Sequence, residues 1–210
     1  MEDQHKHTRL SLANRITILR ILGVPVFILM LVYYTQGLAR GEAMEIHRAA
    51  ALAIFAALAL TDALDGYLAR SRNEISPLGK LLDPLADKAL LLSALVLLTK
   101  PSLPALEPHI PIWFTLLVIS RDVLLIVGAA IIHAFAGFVE VKPRIVGKIA
   151  TFFQMVAITW VLVGGAARPF MACVALAGVF TFTSGLIYVL DGVRQLERAA
   201  AAHRHPHPPA

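Results

Sequence analysis

"AAALAIFAALALTDALDGYLAR", residues 49–70, decides how this chain has to be read. Its first twelve residues are apolar enough to sit in lipid, yet Asp62 and Asp65 follow before the stretch closes at Arg70. A charged side chain costs roughly 2.5–3.5 kcal/mol at the centre of a membrane helix and less towards the interface. Two carboxylates at the end of one span therefore demand compensation from somewhere else in the chain.

Composition sets the frame for that question. Of 210 residues, 58% are hydrophobic and 16% charged, and the mean hydropathy is +0.71. A soluble domain of this length needs more polar surface, and several apolar runs reach the ~20 residues of a bilayer-spanning helix. The expected fold is an all-α integral membrane protein of six transmembrane helices, roughly Ile16–Tyr34, Ala49–Ala69, Leu81–Thr99, Ile110–Phe135, Ile149–Gly165 and Phe170–Leu190. Pro25 and the Gly164-Gly165 pair mark kinks or breaks that neighbouring helices tolerate. Residues 1–13 read as a cytoplasmic N-terminal segment, 14–192 as one six-helix domain, and 193–210 as a disordered cytoplasmic tail. No A-x-A cleavage site follows the first apolar run, so it reads as a retained helix. The single cysteine, Cys173, excludes an internal disulfide and a cysteine-based zinc site.

The formal charge of +5 does not point to nucleic acid, because the basic residues lie between apolar spans. Twelve of the 19 Lys and Arg residues fall in the N-terminal tail and the second, fourth and last connections; four fall in the other loops. Arg20, Lys88 and Arg121 fall inside spans. That bias predicts both termini in the cytoplasm, in keeping with an even number of spans. The tail histidines His203, His205 and His207 read as solvated residues.

On this topology the second span ends at Arg70 and the third begins near Lys80, joined by the short "SRNEISPLGK". Asp62 and Asp65 share a helix face at i,i+3, as do Asp83 and Asp87 of "LLDPLADKA" at i,i+4. Antiparallel neighbours would bring all four carboxylates together just below the cytoplasmic surface. One such aspartate is adequately explained by pairing with Arg70 or Lys88. Four are not, because like charges repel strongly at low dielectric, whereas hard divalent cations favour oxygen ligands. Such a cluster suits a two-metal clamp for displacement at phosphorus. Gly66 and Ala69 lie on the face of Asp62 and Asp65, where small residues admit a neighbouring helix or a flat nucleotide.

Written with its spacing, the constellation is Asp62-x-x-Asp65-Gly66-x-x-Ala69-Arg70, eight residues, Gly79, three residues, Asp83, three residues, Asp87. This resembles the signature of the CDP-alcohol phosphatidyltransferase family, with every fixed position filled. The resemblance implies a cytoplasm-facing site in a bacterial inner membrane that binds CDP-diacylglycerol through two divalent cations, Mg2+ or Mn2+. It implies Asp62, Asp65, Asp83 and Asp87 as metal ligands, with Asp87 also the general base on the acceptor hydroxyl. Asp62, Gly66, Ala69 and Arg70 match the nucleotide-binding positions, and a homodimer is implied as well.

The acceptor has to be read elsewhere. "LANRITILRILGVP", with Asn14, Thr17 and Arg20, resembles the start of the first helix in members that use glycerol 3-phosphate. The run Gly147, Lys148, Thr151, Gln154, Met155 resembles their matching segment. An acceptor phosphate would need two or three cations, and the candidates are Arg121, Lys148 and one of Lys142 and Arg144, Arg as a bidentate fork and Lys as a point charge. Arg121 could instead be paired with Asp122, although adjacent residues point in different directions on a helix. "SRD" at residues 120–122 and the late "FTFTSGLIYVLDGVRQ" are closer to members that form cardiolipin from phosphatidylglycerol, which stands as the alternative. Membrane prenyltransferases of the UbiA type place their acidic motifs on well-separated segments, and a transporter would show repeats or paired broken helices. Neither pattern is present.

Overall fold

The structure is a computed structural model that describes the backbone of residues 12–72, 77–99, 107–136 and 144–204, and the side chains of 19–61, 85–99, 107–135 and 144–198. Among the described residues it is helical, without strands. The six helices are α1 (Leu12–Arg40), α2 (Glu45–Arg72), α3 (Pro77–Leu98), α4 (Ile112–Ala136), α5 (Ile145–Val163) and α6 (Ala167–Arg204). Four contain stretches long and apolar enough to cross a membrane: Leu19–Arg40, Ile112–Phe135, Ile145–Val163 and Ala167–Arg198. This is a membrane protein. Large apolar side chains such as Leu22, Ile126 and Phe182 are exposed on helix faces, as lipid-facing residues should be.

Helix ends follow local chemistry. α1 stops where Gly41 takes φ +74, a left-handed conformation that costs a residue with a Cβ, and its N–H bonds Leu38 O at 3.2 Å. Glu45 opens α2 at the end of a helix that favours negative charge and pairs with Arg48 at 2.7 Å. Gly164 ends α5 at φ 77, donating to Val161 O while Gly165 donates to Trp160 O, so the Gly-Gly pair breaks the helix as its composition predicts. By contrast, α1 continues through Pro25. α6 also runs on to Arg204, into the stretch that composition alone assigns to a disordered tail. "LERAAAA", residues 196–202, consists of strong helix formers, and the first proline there comes only at Pro206.

The contacts divide the chain into two compact units, Met1–Glu107 and Pro108–Ala210. In the first, α1 packs against both α2 and α3. Phe27 and Leu31 of α1 are fully buried, Phe27 meeting Phe55 of α2 with ring centroids 5.6 Å apart. Ala94, Leu95 and Leu98 complete the core from α3. In the second unit α6 is the central element, packed against α4 and α5. Phe153 stacks on Phe180 at 5.9 Å and 4°, and the buried Gln154 donates to Thr181 Oγ1 at 3.1 Å. Thr181 in turn donates to Ala177 O, so this interhelical bond leaves no hydroxyl proton idle.

Lipid offers helices little hydrophobic reason to associate, so close packing has to hold them. Phe27→Ala would open a cavity in the α1–α2 seam and is expected to cost about 3–5 kcal/mol. Val179→Ala, on an exposed face, should stay within ~0.5 kcal/mol. Denaturant titrations of the two purified variants in mixed micelles check the contrast; equal midpoints would show that the seam is not a packed core.

Candidate active site

The backbone carries Asp62, Asp65, Gly66, Ala69 and Arg70 on the last turns of α2, and Asp83 and Asp87 on the first half of α3. The i,i+3 and i,i+4 spacings thus lie in continuous helices. The side chains of Asp62, Asp65, Arg70 and Asp83 lie outside the described residues, as does Lys142 entirely. Among the described residues no cluster of three or more His, Cys, Asp or Glu could hold a metal.

Asp87 is described, and one of its partners lies far away in sequence. Arg20 of α1 reaches across 67 positions to donate from Nη1 to Asp87 Oδ1 at 3.1 Å. Arg20 is 1% exposed and the Asp87 side chain 32%. A guanidinium so buried needs a counter-charge, and a carboxylate held by it loses rotational freedom. The pair ties α1 to α3 at the level of the acidic motif. Sequence inspection places Arg20 in a span but supplies no partner for it, because the contact joins residues distant along the chain.

A second constellation forms within α4, α5 and α6. Arg121 is 9% exposed and Asp122 8%. Nη1 of Arg121 donates to Asp122 Oδ1 at 2.9 Å and Nη2 to Ser184 Oγ at 3.0 Å. The neighbouring residues do meet, against the helical-wheel expectation, since the guanidinium reaches Asp122 and Ser184 of α6 at once. The guanidinium lies 5.8 Å from the Tyr188 ring centroid, within cation–π range. Space for it comes from Gly147, where a Cβ would stand 2.9 Å from Arg121 Nη2 and 3.2 Å from Ser184 Oγ. Arg121 Nε is buried without a hydrogen-bond partner, and native interiors seldom leave such a donor idle.

The other predicted acceptor cations are distributed unevenly. Lys148 is exposed on the first turn of α5. Arg144 precedes that helix and donates to Asp191 Oδ2 of α6 at 2.5 Å. Gln154, singled out from its motif, is engaged in packing with Thr181. Ser184 and Tyr188 are additions that sequence reading passed over, although their i,i+4 spacing on α6 was available as a signal.

Comparison with known proteins places this geometry. Residues 10–184 match the profile of the CDP-alcohol phosphatidyltransferases. The chain belongs to the CDP-alcohol phosphatidyltransferase family. It is similar to "Cardiolipin synthase (CMP-forming)" of Streptomyces coelicolor, 31% identical over 201 residues, covering 92% of this chain and 87% of the relative. It is similar to "CDP-diacylglycerol--glycerol-3-phosphate 3-phosphatidyltransferase" of Bacillus subtilis, 35% identical over 155 residues, covering 72% and 76%. A "Probable phosphatidylglycerophosphate synthase" of Mycobacterium tuberculosis is 33% identical over 195 residues, covering 89% and 83%. As a CDP-alcohol phosphatidyltransferase the protein is a transferase, from a family that generally depends on divalent cations. The four aspartates are a donor set of the right chemistry, hard oxygen ligands on two helices.

Arg20→Met removes the cation from the Asp87 pair. The expected loss of stability falls somewhat below the ~3–5 kcal/mol of breaking a fully buried pair, since Asp87 is partly exposed. Arg20→Lys should lose less. Thermal scans of both variants in detergent measure this, and a wild-type midpoint for Arg20→Met would show that the pair contributes nothing.

Proposed function

We propose that the protein transfers the phosphatidyl group of CDP-diacylglycerol to glycerol 3-phosphate, releasing CMP and forming phosphatidylglycerophosphate for phospholipid synthesis. Family membership supports the donor and the reaction; the Bacillus relative is named for this donor and acceptor, and the Mycobacterium relative for this product. The observation that carries the acceptor is Arg121. A nearly buried guanidinium keeps an idle Nε donor beside a serine hydroxyl and an aromatic ring, which suits a small phosphate monoester.

In this reading six helices span a bacterial cytoplasmic membrane, with both termini and the site on the cytoplasmic face. The Lys and Arg bias supports that orientation. Asp62, Asp65, Asp83 and Asp87 would hold two divalent cations, Mg2+ by preference. Bound there, the cations supply positive charge against the diphosphate and the departing CMP. Gly66 and Ala69 leave room for the nucleotide along α2, and Arg70 contributes a further cation to it. Asp87, steadied by Arg20, accepts the proton of the acceptor hydroxyl. That hydroxyl oxygen forms the new bond to the lipid-bearing phosphorus as the bond to CMP breaks. Arg121 and Lys148, with Lys142 or Arg144, hold the acceptor phosphate; Arg144 would first have to release Asp191. A homodimer is part of this reading on the family resemblance alone.

A second reading, phosphatidylglycerol as acceptor with cardiolipin as product, is favoured by the Streptomyces relative's name and coverage and by "SRD" at residues 120–122. Purified protein given CDP-diacylglycerol, Mg2+ and either acceptor separates the two. CMP release is expected with glycerol 3-phosphate and not with phosphatidylglycerol; the reverse result would move the protein to the second reading.

Two variants test the assigned roles. Asp87→Asn should lower turnover by about 10²–10⁴-fold while CDP-diacylglycerol still binds, and normal turnover would remove the base from Asp87. Lys148→Ala should raise the KM for glycerol 3-phosphate roughly tenfold, the worth of a hydrogen bond to a charged group, and spare that for CDP-diacylglycerol. Equal changes in both would take Lys148 out of the phosphate site.

A further inference from the structure

Within the second unit, α4, Arg144 just ahead of α5 and the later turns of α6 line a cavity of about 620 Å³. Its volume falls within the ~300–1,000 Å³ of small-molecule sites. Arg121, Lys148 and Ser184 do not line it, so it is distinct from the space around Arg121, although Tyr188 and Arg144, the latter one of the candidates for the acceptor phosphate, border it.

The cavity has two unlike sides. Along α4 it is apolar, with Leu124, Val127 and Ile131 exposed to it. Between them stands Gly128, where an added Cβ would meet nothing within 4 Å. The α4 wall is thus open at that point. The opposite side carries Arg144, Arg194 and Arg198 against a single acid, Asp191. Asp191 is engaged by Arg144, whereas Arg194 and Arg198, one turn apart on α6, make no ion pair among the described residues. Two uncompensated guanidinium groups therefore face an apolar channel.

This combination selects its ligand. Inorganic phosphate or a sugar phosphate would satisfy the arginines but offer nothing apolar to the α4 wall. A zwitterionic lipid would bring its own cation towards a site that already carries excess positive charge. An anionic lipid satisfies both sides, its acyl chain against α4 and its phosphate between the arginines. Basic pockets between membrane helices bind anionic head groups for this reason. We propose that the α4–α6 cavity is a binding site for an anionic glycerophospholipid, with Arg194 and Arg198 on the phosphate and the gap at Gly128 receiving the start of an acyl chain.

Native mass spectrometry of the full chain in detergent tests this with phosphatidic acid, which offers no alcohol to serve as acceptor, against phosphatidylcholine of the same chains. Phosphatidic acid should be retained about fivefold or more over phosphatidylcholine. Arg194→Gln and Arg198→Gln should each lower that preference about fivefold, the contribution of one cation near an anionic surface. Gly128→Leu keeps every charge and fills the gap; it should weaken retention of phosphatidic acid while leaving the thermal midpoint at or above wild type, since glycine is a poor residue inside a helix. Equal retention of the two lipids would overturn the proposal, as would retention insensitive to all three variants. Displacement of phosphatidic acid by glycerol 3-phosphate would overturn it too, by assigning the cavity to the acceptor. Release of CMP with glycerol 3-phosphate, measured on the same variants, reports separately on the proposed reaction.

Discussion

A buried arginine in an apolar bundle has to be answered where it lies, and two such residues organise this protein. Arg20 is answered by Asp87, joining α1 to α3. Arg121 is answered by Asp122 and Ser184, joining α4 to α6. Each cross-link falls within one compact unit and between helices that also pack by side-chain contact. A buried guanidinium carries its charge with it, so each requires a partner in place. Small residues then set how closely the helices approach, as Gly147 does beside Arg121.

The same constraint shapes the chemistry. An arginine has five donors in a rigid fork, and Arg121 leaves Nε idle after meeting its two partners. Residual donor capacity of this kind costs stability in an empty protein and is recovered when an anion arrives. Arg20, whose Nε is buried in the same way, restrains a carboxylate through its Nη1. In the reaction proposed above, Arg20 would serve the acidic motif and Arg121 the acceptor.

The legibility of these features from sequence varied with their range. The acidic motif could be read directly, because Asp62, Asp65, Asp83 and Asp87 report their spacing through helical periodicity alone. The helices themselves were equally plain, and in four of them the apolar run is long enough to cross a membrane. The pairing of Arg121 with its neighbour Asp122 was harder, since a helical wheel records where Cα–Cβ bonds point and not where a long side chain can turn. The helical continuation of α6 past residue 193 was obscured by the histidines and prolines that follow it, although its alanine-rich run favours helix. The partners Arg20–Asp87, Arg144–Asp191 and Gln154–Thr181 are separated by 67, 47 and 27 positions. No local pattern specifies contacts of that range.

By itself the sequence determined a helical membrane protein with a metal-suited acidic motif, because hydrophobic length and i,i+3 or i,i+4 spacing are local properties that the helix geometry turns into structure. Only the tertiary structure decided which charge answers which. It set Arg20 on Asp87, left Arg121 with a donor to spare, and opened a cationic, apolar-walled cavity between α4 and α6. Those outcomes depend on which faces of distant helices meet. Packing of whole side chains settles that, and residue spacing along the chain does not encode it.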